Sequence, residues 1–305
     1  MRQSGAVRRS EARVNDFRGW RTTALLLGAS LLTTHASAAV AGDSVVVTIV
    51  DGRTAKADIT LINPNGGHYT AEFELEFEAQ GLQNLTAQCL GITADVLDAA
   101  EIADIEQHRL PHSDHQIIDP AFPVRVTVEP PAACGLTFQN HYDVTFETGD
   151  LVYTPSGPYR LMKAPLGGMF HYVTGSVTQG SVRSRGRTGA FSEFIIISDF
   201  APTYSADCQD EYATLQSRID AAQISPTARQ ALNVDLAISR AAYEARNYPD
   251  AIQRLATFDQ HCVEYSGAAL PNVWRSQRDL DNVEGDLVGN TDSLRFMMGR
   301  LSGQP

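Results

Sequence analysis

Residues 71–78 read AEFELEFE. Ala71, Phe73, Leu75 and Phe77 alternate with Glu72, Glu74, Glu76 and Glu78. A strand sends successive side chains to opposite faces, so this contrast predicts one face on a core and one in water. A helix would scatter the same glutamates around its axis. The half-wet strand implies an antiparallel sheet.

The neighbouring segments extend the pattern. Residues 44–50 (SVVVTIV) are β-branched and lead into Asp51-Gly52, a strong hairpin signal. The return strand runs to Ile62, with Ala57, Ile59 and Leu61 set against Asp58 and Thr60, and the turn cluster NPNGG follows at 63–67. Downstream, strands are expected at 85–97, 122–129, 136–146, 151–153 and 159–163. A hairpin of 181–187 with 190–199, closed near Thr188 and Gly189, completes the set. Asp98 with Glu101 forms a capping-box pattern that opens a short helix through Ile105, which Pro111 stops. Many short strands punctuated by turns predict a β-sandwich of immunoglobulin-like type over residues 39–201.

From residue 206 the apolar period changes. Cys208, Tyr212, Leu215, Ile219 and Ala222 mark a first helix. Ser225-Pro226 caps a second, whose expected inner face is Ala231, Val234, Ile238, Ala241 and Ala245, with Asn247 as its left-handed end. A third begins at Pro249 and buries Ala251, Leu255, Phe258 and Cys262. A fourth is expected from Pro271 through Trp274, Leu280, Val283 and Leu287, with a last turn or two to Leu301. The fold class is thus mainly-β plus α: an N-terminal β-sandwich domain (39–201), then a C-terminal bundle of four to five helices (206–305).

The N-terminus carries six arginines, then the apolar run around Leu25–Leu32, then Ala36 and Ala38. Basic, apolar, small is the order of a secretory signal, cut after Ala38. The protein is therefore expected to be exported and soluble, periplasmic or extracellular, with no membrane span in the mature chain. Six of the 24 basic and two of the 36 acidic residues fall within 1–38, which takes the formal net charge from −12 to −16. Such a charge argues against nucleic-acid partners.

Four cysteines remain, and in an oxidising compartment they predict two disulfides. Cys89–Cys134 and Cys208–Cys262 keep each pair inside one predicted domain. The second pairing sits badly with an up-down bundle, because Cys208 opens the first helix and Cys262 ends the third.

Three segments, FPVRVTVEPPAACGL (122–136), PYRLMKAPLGGMF (158–170) and GSVRSRGRTGAFSEF (180–194), resemble an exported bacterial family with no assigned function. The resemblance implies no catalytic residues. Residues 236–258, containing ARNYPDAIQRLATF, are similar both to FIMAH, the helical module appended to some secreted hydrolases, and to a tetratricopeptide helix pair. Only one such pair is visible and a solenoid needs about three repeats, so the appended module fits better.

Two clusters carry candidate chemistry. His108, His112 and His115, with Asp114 and Asp119, are donors suited to zinc or another divalent ion, although Pro111 keeps them off one helical face. Arg183, Arg185 and Arg187 share one side of a strand and form a candidate anion-binding strip. No nucleophile elbow, phosphate loop or dinucleotide fingerprint is present, and no cofactor is implied. The reading favoured by the sequence is an exported, non-catalytic binding or scaffold protein for a protein or glycan ligand. The alternative is a periplasmic hydrolase or metal-dependent enzyme using the His108–His115 loop.

Overall fold

A computed structural model describes residues 42–155 and 157–304, and the predicted signal segment lies outside them. The described residues belong to one compact unit. The chain runs β1 (Ser44–Asp51), β2 (Thr54–Ile62), β3 (His68–Phe77), α1 (Ala87–Leu90), β4 (Ile92–Val96), α2 (Ala99–Asp104), β5 (Gln116–Ile118) and β6 (Val124–Val128). It continues through β7 (Thr137–Gln139), β8 (Tyr142–Thr148), β9 (Tyr159–Ala164), β10 (His171–Tyr172), β11 (Ser176–Thr178), β12 (Val182–Thr188) and β13 (Glu193–Asp199). The last third holds α3 (Tyr204–Ala221), α4 (Pro226–Glu244), α5 (Tyr248–Tyr265), β14 (Val273–Arg275) and α6 (Val283–Leu301).

The first sheet has the order β1-β2-β3-β8-β12-β11, and the second β10-β9-β13-β6-β4, with β5 beside the far end of β13. Phe73, Leu75 and Phe77 of β3 are buried, as their alternation with glutamate requires. They pack across to the second sheet, where Phe73 meets Phe194 with ring centroids 5.2 Å apart. The glutamates face outward and take basic partners from the neighbouring hairpin, Lys56 with Glu72 at 2.5 Å and Arg53 with Glu76 at 2.9 Å. These are surface pairs, worth about 0–1 kcal/mol each. The fold is therefore a two-sheet sandwich followed by a helical region.

Several expectations give way to local physics. Residues 85–97 do not form one strand: Thr86 accepts from Cys89 N at 3.1 Å and caps α1, and Gly91 ends it in the left-handed region. The 136–146 segment breaks at Asn140, whose φ of 60° separates β7 from β8. Residues 151–153 form no strand. The expected hairpin of 181–187 with 190–199 is instead a crossover, with β12 in the first sheet and β13 in the second. Every residue of β13 is buried, because Ile195 and Ile197 pack with Leu110, Met162 and Phe170 on the far side from the sandwich core. The capping box at Asp98 and Glu101 forms as its residues predict.

In the helical region, α5 buries Ala251, Leu255, Phe258 and Cys262 as expected. α4 does not bury the expected face. Val234 and Ile238 are exposed, and Leu232, Asp235, Leu236, Ser239, Ala242 and Tyr243 turn inward. The misleading residues are Asp235 and Ser239, polar but paired inside: Asp235 Oδ2 lies 2.5 Å from His261 Nδ1, and Ser239 Oγ donates to Ala251 O at 3.0 Å. Arg246, not Asn247, takes the left-handed position between α4 and α5. The fourth helix starts only at Val283. Trp274 lies in β14, which pairs with β7 and places the indole on Phe138 at 5.4 Å.

Cys89 and Cys134 form a disulfide, and Cys208 and Cys262 are free, buried thiols. This corrects the predicted Cys208–Cys262 bridge. Tyr243 on α4 donates to Ser205 O, one turn before Cys208, and Asp235 on α4 pairs with His261, next to Cys262. Eight helical residues separate those two contacts, about 12 Å at 1.5 Å per residue, which is beyond disulfide reach.

Candidate functional site

The sandwich and the helical region meet along a cleft of about 640 Å³, within the range of small-molecule sites. One wall comes from the sandwich: Lys163 on β9, His171 on β10, and Phe170 and Phe191 from loops. The other comes from α3, which presents Glu211, Thr214 and Arg218, and from the segment leading into α6. Trp274 closes one end, edge to face with Phe191 at 4.7 Å. Leu166 and Met169 sit at the mouth and are exposed, 44% and 55%.

The charges in this cleft divide into spent and unspent. Arg218 is held by Asp281 (Nη1 to Oδ2, 2.9 Å) and Asp286 (Nη2 to Oδ2, 2.8 Å). Arg278 reaches Glu129 at 3.4 Å. Lys163, 5% exposed, has one partner among the described residues: Nζ donates to Thr188 Oγ1 at 2.5 Å. Burial pushes its pKa down to about 8, against the pull of Asp286. Glu211 is opposite in kind. Burial, with Asp210 nearby, pushes its carboxyl up to about 8, and Oε1 has no partner. His171 stands opposite Lys163 in register. Its edge reaches solvent in the cleft, yet crowding and the Lys163 ammonium lower its pKa. At neutral pH the cleft thus presents an ammonium, a neutral imidazole and a protonated carboxyl beside an aromatic wall.

The predicted histidine cluster is placed differently. His108 is exposed and pairs with Asp104 at 3.2 Å. His112 and His115 stack with centroids 5.1 Å apart. His112 Nε2 meets Asp207 Oδ1 at 2.7 Å. His115 Nδ1 lies 2.8 Å from Asp114, and its Nε2 stands 3.7 Å from Asp199 Oδ1, too far for a hydrogen bond. Gln116 and Tyr172 both donate to Asp199 Oδ2 at 3.2 Å. Burial raises the Asp207 pKa, and the His112 contact opposes that rise. The structure therefore separates His108 from the other two. Among the described residues no three His, Cys, Asp or Glu side chains gather as a metal-binding set.

The arginine row is also divided. Arg183 bonds Glu147 and Arg187 bonds Asp143 at 2.9 Å, both acids on the adjacent β8. Arg185 joins Arg187, Glu74, Glu76, Asp143 and Asp292 around a smaller polar cavity of about 320 Å³. Two of the three guanidiniums already carry carboxylates.

Sequence reasoning missed Lys163, His171 and Glu211. Lys163 offers the one signal: it interrupts the apolar strand LMKA inside a segment where every residue from Arg160 to Ala164 is buried. Among the described residues, no helix is long and apolar enough to cross a membrane.

No curated protein and no solved structure matches the chain. Residues 28–302 match the model of a family of unknown function, DUF6689. That match spans most of the sequence, and the chain belongs to this family.

Proposed function

We propose that this is an exported, non-catalytic binding protein that holds a small ligand in the cleft between the sandwich and the helices. The observation that carries the reading is that Glu211 Oε1, which has no hydrogen-bond partner, and Lys163 Nζ, which has only Thr188 Oγ1, line a cleft with an apolar wall of Phe170, Phe191 and Trp274. Buried polar groups are normally satisfied, so unsatisfied ones lining a cavity favour a missing partner. The basic-apolar-small order of residues 1–38 and the Cys89–Cys134 bond support the exported setting. The likeness of residues 236–258 to appended modules of secreted hydrolases supports an ancillary binding role.

The test is a thermal-shift screen of the chain against glycans, peptidoglycan fragments and small amphiphiles, repeated on Met169→Glu. A ligand present at 100 times its Kd stabilises by about 2.7 kcal/mol. The reading requires a shift that Met169→Glu abolishes; a shift untouched by that change places binding elsewhere and defeats it.

A second reading rests on the His112–Asp207 pair, a carboxylate-held imidazole of the kind used in general-base hydrolysis. Hydrolysis of an ester or peptide library that disappears in His112→Ala, with the fold intact, is its test.

A further inference from the structure

Resting on the cleft reading, we infer that the ligand is a small monoanion, a carboxylate on an apolar or aromatic body, whose head group docks on Lys163. Three cations line the cleft, and only Lys163 lacks a carboxylate partner among the described residues. Its ammonium has three donors and spends one, on Thr188 Oγ1. A buried charge without a counter-charge is costly, and an incoming anion removes that cost while taking the two free N–H bonds. His171 stands in register beside it and is held neutral by crowding and by the Lys163 ammonium.

Two features narrow the class. One ammonium without a carboxylate partner matches the single charge of a carboxylate, whereas a phosphate dianion calls for several charged donors. The sandwich side of the cleft is apolar, with Phe170, Phe191 and Trp274 inside and Leu166 and Met169 at the mouth, while the facing side carries polar groups such as Thr214, Asn282 and Asn290. That apolar side accepts a ring or short alkyl chain. Glu211 does not oppose the anion, since burial keeps its carboxyl protonated at neutral pH. The protein as a whole is strongly acidic, so selectivity for an anion has to arise locally, at Lys163.

The experiment uses the full chain with Trp20→Phe, which leaves Trp274 as the sole tryptophan. Two dyes are titrated: 1-anilinonaphthalene-8-sulfonate, a monoanion, and N-phenyl-1-naphthylamine, its neutral relative. Both are expected to saturate and quench Trp274. Lys163→Met should weaken the anionic dye by at least about tenfold and leave the neutral dye within about twofold, as loss of one charged hydrogen bond implies. Octanoate should displace the neutral dye from the unaltered Lys163 protein at far lower concentration than octanol does, a comparison that does not depend on how the variant folds. If octanoate and octanol compete equally, or Lys163→Met leaves the anionic dye unaffected, the anion inference fails and the cleft reading stands. If Met169→Glu changes neither dye, or neither dye quenches Trp274, both fail together.

Discussion

Gly189 and Gly285 meet backbone to backbone: a Cβ on Gly285 would lie 2.4 Å from Gly189 Cα, and one on Gly189 would lie 2.7 Å from Gly285 C. The contact joins the turn between β12 and β13 to the first turn of α6. Asn282 reinforces it by donating to Asn140 O at 2.6 Å and Gly189 O at 2.9 Å while capping the Gly285 N–H at 3.1 Å. Two elements from distant parts of the chain are held there at a spacing that no side chain fits. Ala190 and Asn282, beside this junction, line the cleft between the sandwich and the helices.

Gly285→Ala should therefore destabilise the protein by about 1–3 kcal/mol, the usual cost of forcing an atom into a filled site. Gly149→Ala, where nothing lies within 4 Å, should change stability by less than about 0.5 kcal/mol. Urea unfolding followed by tryptophan fluorescence measures both, and equal effects would show that the glycine contact is unimportant.

The two unspent cleft groups predict opposite responses to pH. Glu211 has its folded pKa raised by burial to about 8, so its stability contribution is complete below the ordinary carboxyl range and is lost as pH rises through about 8. Glu211→Gln should flatten that decline. Lys163 has its folded pKa lowered by burial to about 8, so its contribution is present above the ordinary lysine range and is lost as pH falls through about 8. Lys163→Met should accordingly raise stability at pH 7 by about 1–3 kcal/mol, since it removes a buried charge. Denaturation at pH 5, 7 and 9 checks both signs.

His112 and Asp207 tie the loop before β5 to the start of α3. Asp207 is 4% exposed, and His112→Ala would leave its charge without that partner. The expected loss is about 3 kcal/mol, the lower end for breaking a buried pair. His108→Ala, at an exposed position, should cost nothing measurable. A double-mutant cycle with Asp207→Ala isolates the coupling.

The Cys89–Cys134 bridge closes a loop of 45 residues around β4 and β6. Chain-entropy arithmetic gives it about 4 kcal/mol. Paired replacement by alanine should lower the melting temperature by several degrees, and reductant should do the same to the unaltered protein. An unchanged melting curve under both treatments would refute the assignment.

Much of the architecture was legible because it rests on local contrast. Glutamate against phenylalanine in β3, Asp98 with Glu101 in α2, and Ser225-Pro226 before α4 each specify their element without outside help. The failures share a cause, which is that distant residues decide. α4 hides Asp235 because His261 waits for it, and Trp274 becomes a strand residue because β7 offers an edge. β12 and β13 separate because each finds better neighbours than the other. The cleft was illegible for the same reason. Lys163, His171 and Glu211 are 48 positions apart at their extremes and carry no shared spacing; only the crossover between sheets and the placement of α3 bring them to one cavity.

The two unbridged thiols act as internal clocks. Burial raises the pKa of both Cys208 and Cys262, so neither is a thiolate at neutral pH and alkylating reagents find them only when their helices open. One sulfur reports on α3, which walls the cleft, and the other on α5, which does not. Labelling each separately, with the other changed to alanine, resolves motion of the wall from motion of the layer behind it. An occupant of the cleft should slow the first rate and spare the second.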